Sequence, residues 1–280
     1  HASLLLHTRT GPVDDALKGY IEERLQTFAL SATALGRFLS DPQEFLLVDI
    51  LMQPEHFDES SVRSLGYGSA VHWALRQWGV AKTEGKEFGT GQFIEAFDWY
   101  LQERTILTKK QREDLLALGK IALPNYFSGR LRTSPAFLYA VEREYRARLS
   151  DSNIPSGIPL KGKIDRIDLP SATSALATVI DYKAGKPKSE SEIRGGMEEG
   201  AVSRGKDGSH FRQLTFYALL LEHADPLLKP QSFVLDYIGE RGEEPLQRAF
   251  VVSDPEKDSL RNLIGEVWQK ILNLDFTPIE

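Results

Sequence analysis

Cysteine is absent from this chain of 280 residues. Its absence excludes disulfides, thiolate zinc sites and cysteine-held iron–sulfur clusters. Long apolar runs are missing as well. No stretch approaches the length needed to cross a bilayer, and the opening HASLLLHTRT has too short an apolar run for a signal peptide. A cytoplasmic protein with no membrane partner fits best. Surplus positive charge is also lacking: 34 Lys and Arg stand against 40 Asp and Glu, for a net charge of −6. That balance argues against gripping a polyanion over the whole surface and leaves room for a local basic groove. The first residue is His rather than Met, as in a trimmed protein or a piece of a longer one.

What is present is ordinary for a globular protein, with 41% hydrophobic and 26% charged residues. The length allows one large α/β domain or two smaller units with a sizeable core. The front half reads as mainly helical. Ser31 can cap a helix that turns Leu35, Phe38 and Leu39 inward, and Asp41-Pro42 interrupts it before the apolar EFLLVDIL. A helix is predicted from about Ser69, with Val71, Leu75 and Trp78 on one face and His72 beside it; residues 91–104 and 108–122 are further helical segments. From about Pro135 the pattern turns to alternation. FLYAVEREYRARL, PLKGKIDRIDL and SALATVIDYKAG read as three strands whose short connections favour an antiparallel meander.

Residues 185–209, rich in Gly, Ser, Lys and Glu, read as a mobile loop. An amphipathic helix follows over His210–Glu222, then the strands SFVLDYIG and LQRAFVVS. The closing helix DPEKDSLRNLIGEVWQKIL has Asp254 as its predicted cap and Pro255 in its first turn. The sum is an α/β domain with a mixed sheet and helices packed around it.

Side chains two apart on a strand share a face, so Asp181 and Lys183 point one way while Ile180 and Tyr182 point the other. Such a pair is either a surface ion pair worth little or a metal ligand beside a group that orients water and stabilises phosphoryl charge. Asp165, on the preceding strand, lies within hairpin reach of Asp181. Facing carboxylates repel unless a cation sits between them, and a hard divalent ion such as Mg²⁺ takes such oxygens. Gln213 and Tyr217, spaced i and i+4, share one helix face.

In order along the chain, Gly162-x-x-Asp165, Asp181-Tyr182-Lys183-x-Gly185 and Gln213-x-x-x-Tyr217 resemble the PD-(D/E)XK nuclease superfamily. The pattern is most similar to the RecB/AddB-type nuclease domain of bacterial recombination helicase–nucleases. Upstream, Leu30-Ser31-Ala32-Thr33-x-Leu35 resembles that family's opening helix, Gly68-x-x-Val71-His72 its histidine motif, and Glu142-x-x-Tyr145 the acid leading its first core strand. The resemblance implies a restriction-endonuclease-like α/β fold, a mixed β-sheet core flanked by helices. It also implies a single nuclease domain over residues 1–280, helical to about 134 and α/β from about 135.

It further implies that His72, Asp165 and Asp181 ligate a metal, with the Tyr182 carbonyl assisting. Lys183 would orient or activate the attacking water, Glu142 would support the metal shell, and Gln213 with Tyr217 would hold Lys183 or the phosphate. The implied cofactor is Mg²⁺, with Mn²⁺ as an alternative. The implied reaction is phosphodiester hydrolysis by a DNA exonuclease of repair and recombination, with single- or double-stranded DNA ends and a helicase region or subunit as partners. Two departures stand out. Where many AddB-type members carry Cys-Pro, this chain has Asp41-Pro42, so no iron–sulfur cluster is expected. No Walker A motif is present, so any helicase motor lies outside this chain. One rival is a catalytically silent DNA-binding or scaffolding domain, against which the facing acids argue; another is a site-specific endonuclease.

The remaining residues take blander readings. Asp168, three positions from Asp165, faces the opposite way and reads as structural or as a turn former. Glu144 shares the geometry of Glu142, His210 shares the Gln213 face, and Trp73 and Trp78 read as core or a surface cap rather than base-stacking platforms. Between 130 and 166, Arg130, Arg132, Arg143, Arg146, Arg148, Lys161, Lys163 and Arg166 outnumber the nearby acids Glu142, Glu144, Asp151 and Asp165. That local excess suits a groove tracking a nucleic-acid backbone with little sequence specificity.

Overall fold

The computed structural model describes residues 15–55, 57–131, 137–239 and 246–279. The opening HASLLLHTRT, and Arg132 of the expected basic groove, lie outside the described residues. The front half is helical: α1 (Asp15–Leu25), α2 (Ala32–Ser40), α3 (Pro42–Phe45) with a π-helical turn over Leu46–Ile50, α4 (Glu59–Thr83), α5 (Thr90–Glu103) and α6 (Lys109–Tyr126). Strands β1 (Phe137–Asp151), β2 (Ile154–Leu169) and β3 (Leu176–Lys183) follow. The chain continues through α7 (Glu190–Arg194), α8 (Ser209–Ala224), β4 (Lys229–Tyr237), β5 (Leu246–Phe250) and α9 (Asp254–Leu272).

Local chemistry explains these boundaries. Ser31 caps α2, its Oγ accepting from the Ala34 N–H at 3.1 Å. Asp41 ends α2 and caps α3 by accepting from the N–H groups of Gln43 and Glu44, with Pro42 at the first helical position. Helix α4 begins at Glu59, well before the expected Ser69. Asp58 caps it, accepting from the Ser61 N–H at 2.7 Å, and its first turns are too polar to show an apolar stripe. The cap of α9 is Ser253 rather than Asp254: Ser253 and Glu256 form a reciprocal capping box that leaves Asp254 exposed in the first turn.

The expected loop 185–209 contains α7, anchored by the fully buried Ile193 and by a 2.7 Å ion pair between Arg194 and Glu256. One apolar residue among polar ones gives no periodicity, which hid the anchor.

The five strands form one sheet in chain order, β1-β2-β3-β4-β5. The first three pair antiparallel, as expected for a meander; β3 and β4 pair parallel, across the α8 crossover, and β5 returns antiparallel. Alternation along β3 sorts its side chains between two cores. Ala177 and Val179 join the core built with α2, α8 and α9, whereas Ile180 and Tyr182 join the core built with α4, α5 and α6. The front half is also stitched to the sheet, since the Leu30 N–H donates to the Pro159 carbonyl at 2.8 Å and the Lys161 N–H to the Leu30 carbonyl at 2.9 Å. This mixed α/β sheet, flanked by helices and preceded by a helical half, has the expected restriction-endonuclease-like architecture.

Candidate active site

Strand register places three acids in one row. Val141 pairs with Arg166 and Arg143 with Ile164, which sets Glu142 opposite Asp165. Arg166 pairs in turn with Ile180, and one further step along that register sets Asp165 opposite Asp181. A β-bulge makes this alignment. The register slips by one between Leu138 and Ala140; without the slip, Val141 would face Asp165. Glu142 itself lies at φ 49°, a left-handed conformation that costs an ordinary residue about 1–2 kcal/mol. Its neighbour Glu144, which the sequence could not distinguish from it, is exposed and paired with Arg146 at 2.7 Å.

The β2–β3 ladder holds only from Asp168–Thr178 to Arg166–Ile180, and beyond it the strands part. The Tyr182 N–H, which a continued ladder would have bonded to backbone, donates instead to Asp165 Oδ2 at 2.8 Å. Into this parting come residues from both faces of the sheet. From α4, His72 Nδ1 lies 3.1 Å from Glu142 Oε1 and 3.5 Å from Asp165 Oδ1. From α8, Gln213 accepts from Lys183 Nζ at 2.9 Å and donates to the Tyr217 hydroxyl at 2.8 Å. Lys183 Nζ also sits 2.6 Å from Asp181 Oδ2. Gly162 lets α8 lie this close, because a Cβ there would come within 2.8 Å of the Leu220 side chain.

Electrostatics reflect crowding of negative charge. Asp165 and Asp181 are only 7% and 3% exposed. Burial pushes Asp181 up from the usual carboxylate range; Lys183 opposes that, while the charge on Asp165 adds to it. His72 is pushed up to about 10: burial works against its charge, but Asp165 and then Glu142 outweigh burial. Burial also works to raise Glu142, yet hydrogen bonds from His72 and Lys163 hold it below its ordinary value. The Lys163 ammonium pairs directly with Glu142 Oε2. Lys163 thus belongs to the site as well as to the basic strand pair, a role its spacing from Asp165 signalled, since two positions share a face.

One ligand atom each from His72, Glu142 and Asp165 lies within 4.8 Å of the others. A ring nitrogen among carboxylate oxygens is a donor set for a divalent cation, and the raised His72 and adjacent Lys163 and Lys183 mark a place where negative charge demands cations. The site opens to a cleft of about 710 Å³ whose walls include Ser69, Trp73, Arg76 and Tyr100. Tyr100 was not singled out from sequence, because nothing in α5 spacing distinguishes a cleft wall from a core face.

Arg166, Asp168 and His210 stand outside the donor set. Arg166 is buried and binds Asp168 through Nε at 2.7 Å, with its guanidinium 4.9 Å from the centre of the Trp78 ring, so it is withdrawn from the expected basic groove. Asp168 is structural, as its facing predicted. His210, one turn before Gln213, is driven down to about 4 by burial, with Lys183 and Lys188 adding to the shift. Among the described residues no helix is long and apolar enough to cross a membrane.

A family model described as the PD-(D/E)XK nuclease superfamily matches residues 29–280. None of the curated proteins compared matches the chain. Among solved structures, a protein described as a "putative exonuclease" from Eubacterium rectale aligns at 13% identity and a TM-score of 0.47, covering 97% of this chain and 89% of that one. The protein SSO0001 aligns at 14% identity and a TM-score of 0.39, covering 93% of this chain and 85% of that one.

Proposed function

The chain belongs to the PD-(D/E)XK nuclease superfamily, and from that premise we propose that it is a Mg²⁺-dependent DNA exonuclease of the RecB/AddB type, acting in cytoplasmic repair and recombination beside a helicase region or subunit. Residues 1–280 act as one nuclease domain in this reading. The observation that supports it best is the acid row Glu142–Asp165–Asp181 with a lysine held at its end. A scaffold has no use for buried, facing carboxylates, whose mutual repulsion costs stability.

His72 and Asp165 from that donor cluster, joined by Asp181 next along the acid row and by the Tyr182 carbonyl, would hold the cation, and Glu142, the cluster's third member, would support that shell while anchoring His72 and Lys163. When bound, the cation supplies charge neutralisation at the phosphate and a more acidic water. The chain's own residues do the positioning. Lys183, fixed between Asp181 and Gln213, presents a localised positive charge to the attacking water and to the charge that develops on the phosphoryl oxygens. Tyr217, held un-ionised by burial, locks the Gln213 amide so that its carbonyl oxygen faces Lys183. Because Asp165 and Glu142 favour the charged form of His72, cation binding at its ring works against that charge, so affinity should rise with pH.

The test is cleavage of linear single- and double-stranded DNA in Mg²⁺ or Mn²⁺, with Asp181→Ala as the comparison. The wild type should degrade linear DNA and leave closed circles intact, and Asp181→Ala should be inert. If both proteins bind DNA and neither cuts it, the silent scaffold is correct. Cut circles would indicate an endonuclease.

A further inference from the structure

Beside the acids, the cleft wall carries an aromatic cluster that the chemistry above does not use. Trp73, the residue after His72 on α4, stacks on Trp99 of α5 with ring centres 5.1 Å apart and planes at 24°. Tyr100 packs against Trp73 at 6.0 Å. Two exposed arginines attend the pair: the Arg76 guanidinium lies 5.4 Å from the Trp73 centre, and that of Arg104 lies 5.6 Å from the Trp99 centre. Trp99 is 41% exposed, while Trp73, Arg76 and Tyr100 line the same cleft as Glu142 and Asp165. Trp73, expected as core or a surface cap, is half-buried on the cleft wall, and Trp78, under Arg166, is core.

A stacked tryptophan pair with Trp99 exposed and Trp73 half-buried on a cleft wall offers apolar ring surface that suits a flat partner. Of its flanking charges, Arg76 lies on the cleft wall and Arg104 lies over the Trp99 ring, whereas Glu95 and Glu103 sit one turn to either side of Trp99 along α5. Phosphates are therefore favoured towards Arg76, Arg104 and the cleft, and a neutral planar group over the rings. Resting on the nuclease reading above, we propose that Trp99 and Trp73 form a stacking platform for a nucleobase of single-stranded DNA, guiding an unpaired end towards the acid row. A base in an intact duplex presents no free face to such a platform, so the platform selects single strands and frayed ends.

Binding of labelled oligo(dT) and of a blunt duplex of equal length, in EDTA so that nothing is cut, tests the proposal on the wild type, Trp99→Ala and Trp99→Tyr. Trp99→Ala should weaken oligo(dT) binding roughly 5- to 150-fold and leave duplex affinity unchanged. Trp99→Tyr should restore most of the loss. Oligo(dT) should quench the tryptophan emission of the wild type, and that quench should shrink in Trp99→Ala. Unchanged duplex binding and circular dichroism report an intact fold, as expected for an exposed position. If Trp99→Ala binds oligo(dT) as tightly as the wild type, the platform is overturned and the nuclease reading stands. A wild type that binds neither DNA in EDTA also overturns the platform, and the cleavage assay above then decides the nuclease reading by itself.

Discussion

Removing the Asp168 carboxylate should unfold the protein more readily while leaving the catalytic groups in place. Asp168 lies three residues from Asp165, yet its carboxylate faces Arg166 on the side of the sheet covered by α4, away from the acid row. Arg166 is 4% exposed, its guanidinium held through Nε at 2.7 Å and through a second nitrogen at 2.5 Å, with Trp78 against its face. Deleting one partner of a buried pair leaves a desolvated charge and costs about 3–5 kcal/mol. Against a typical total of about 5–15 kcal/mol, that is a large share.

In a domain of this size each kcal/mol moves the melting midpoint by about 2 °C, so Asp168→Ala should melt roughly 6–10 °C below the wild type. Urea unfolding followed by tryptophan emission reads the same loss, and activity per folded molecule should persist below the transition. The double variant Arg166→Met with Asp168→Leu should recover most of the stability, because a hydrophobic pair replaces the ionic one without a stranded charge. An Asp168→Ala protein within about 1 kcal/mol of the wild type would refute the assignment of this pair as buried and mutually dependent.

Other expectations follow from the same geometry. Gly79→Ala should cost about 1–3 kcal/mol, because its Cβ would come within 2.5 Å of the stiff Val141 side chain; it should also weaken Mn²⁺ binding, by levering α4 and His72 away from Glu142. Titration of Mn²⁺ by calorimetry reads the second effect. Lys183→Met should cut DNA about 10²–10⁴-fold more slowly yet keep the metal-dependent rise in melting temperature, which Asp165→Ala should lose. Burial works to raise Glu256, but hydrogen bonds from Ser253 and Arg194 outweigh it and hold the folded value low. Its contribution is therefore complete above the unfolded value of about 4.3 and lost as pH falls through the lower folded one. Urea midpoints across acid pH should fall less steeply in Glu256→Gln than in the wild type.

Much of the architecture was legible because it rests on local patterns. The alternation of β1 to β3, the Ser31 cap and the i, i+4 pair Gln213–Tyr217 all report on neighbours a few residues apart. The opposite facing of Asp165 and Asp168 was readable from the strand period alone. What stayed hidden depends on contacts between distant segments. Nothing near Tyr139 announces a bulge, so Glu142 and Glu144 looked equivalent. The pairing of Arg166 with Asp168 turns a counted surface charge into a core group, and the Trp73–Trp99 stack joins two helices whose relative placement no spacing encodes.

The parting of β2 and β3 explains why residues from opposite faces of one sheet can share a site. Within a continuous ladder, His72 on α4 and Gln213 on α8 would be separated by the sheet itself, since their helices pack into different cores. Past the Arg166–Ile180 pair the ladder stops, and Asp165 takes the orphaned Tyr182 N–H. That one side-chain bond serves two ends. It satisfies a buried donor that would otherwise cost about 1–3 kcal/mol, and it fixes Asp165 where α4 approaches from one side and Lys183 from the other. Asp165→Ala should therefore lose stability as well as metal, whereas Asp165→Asn, which keeps an oxygen for the Tyr182 N–H, should lose the metal alone. Equal urea midpoints for the two variants in EDTA would show that the bond is not what holds the strands at their parting.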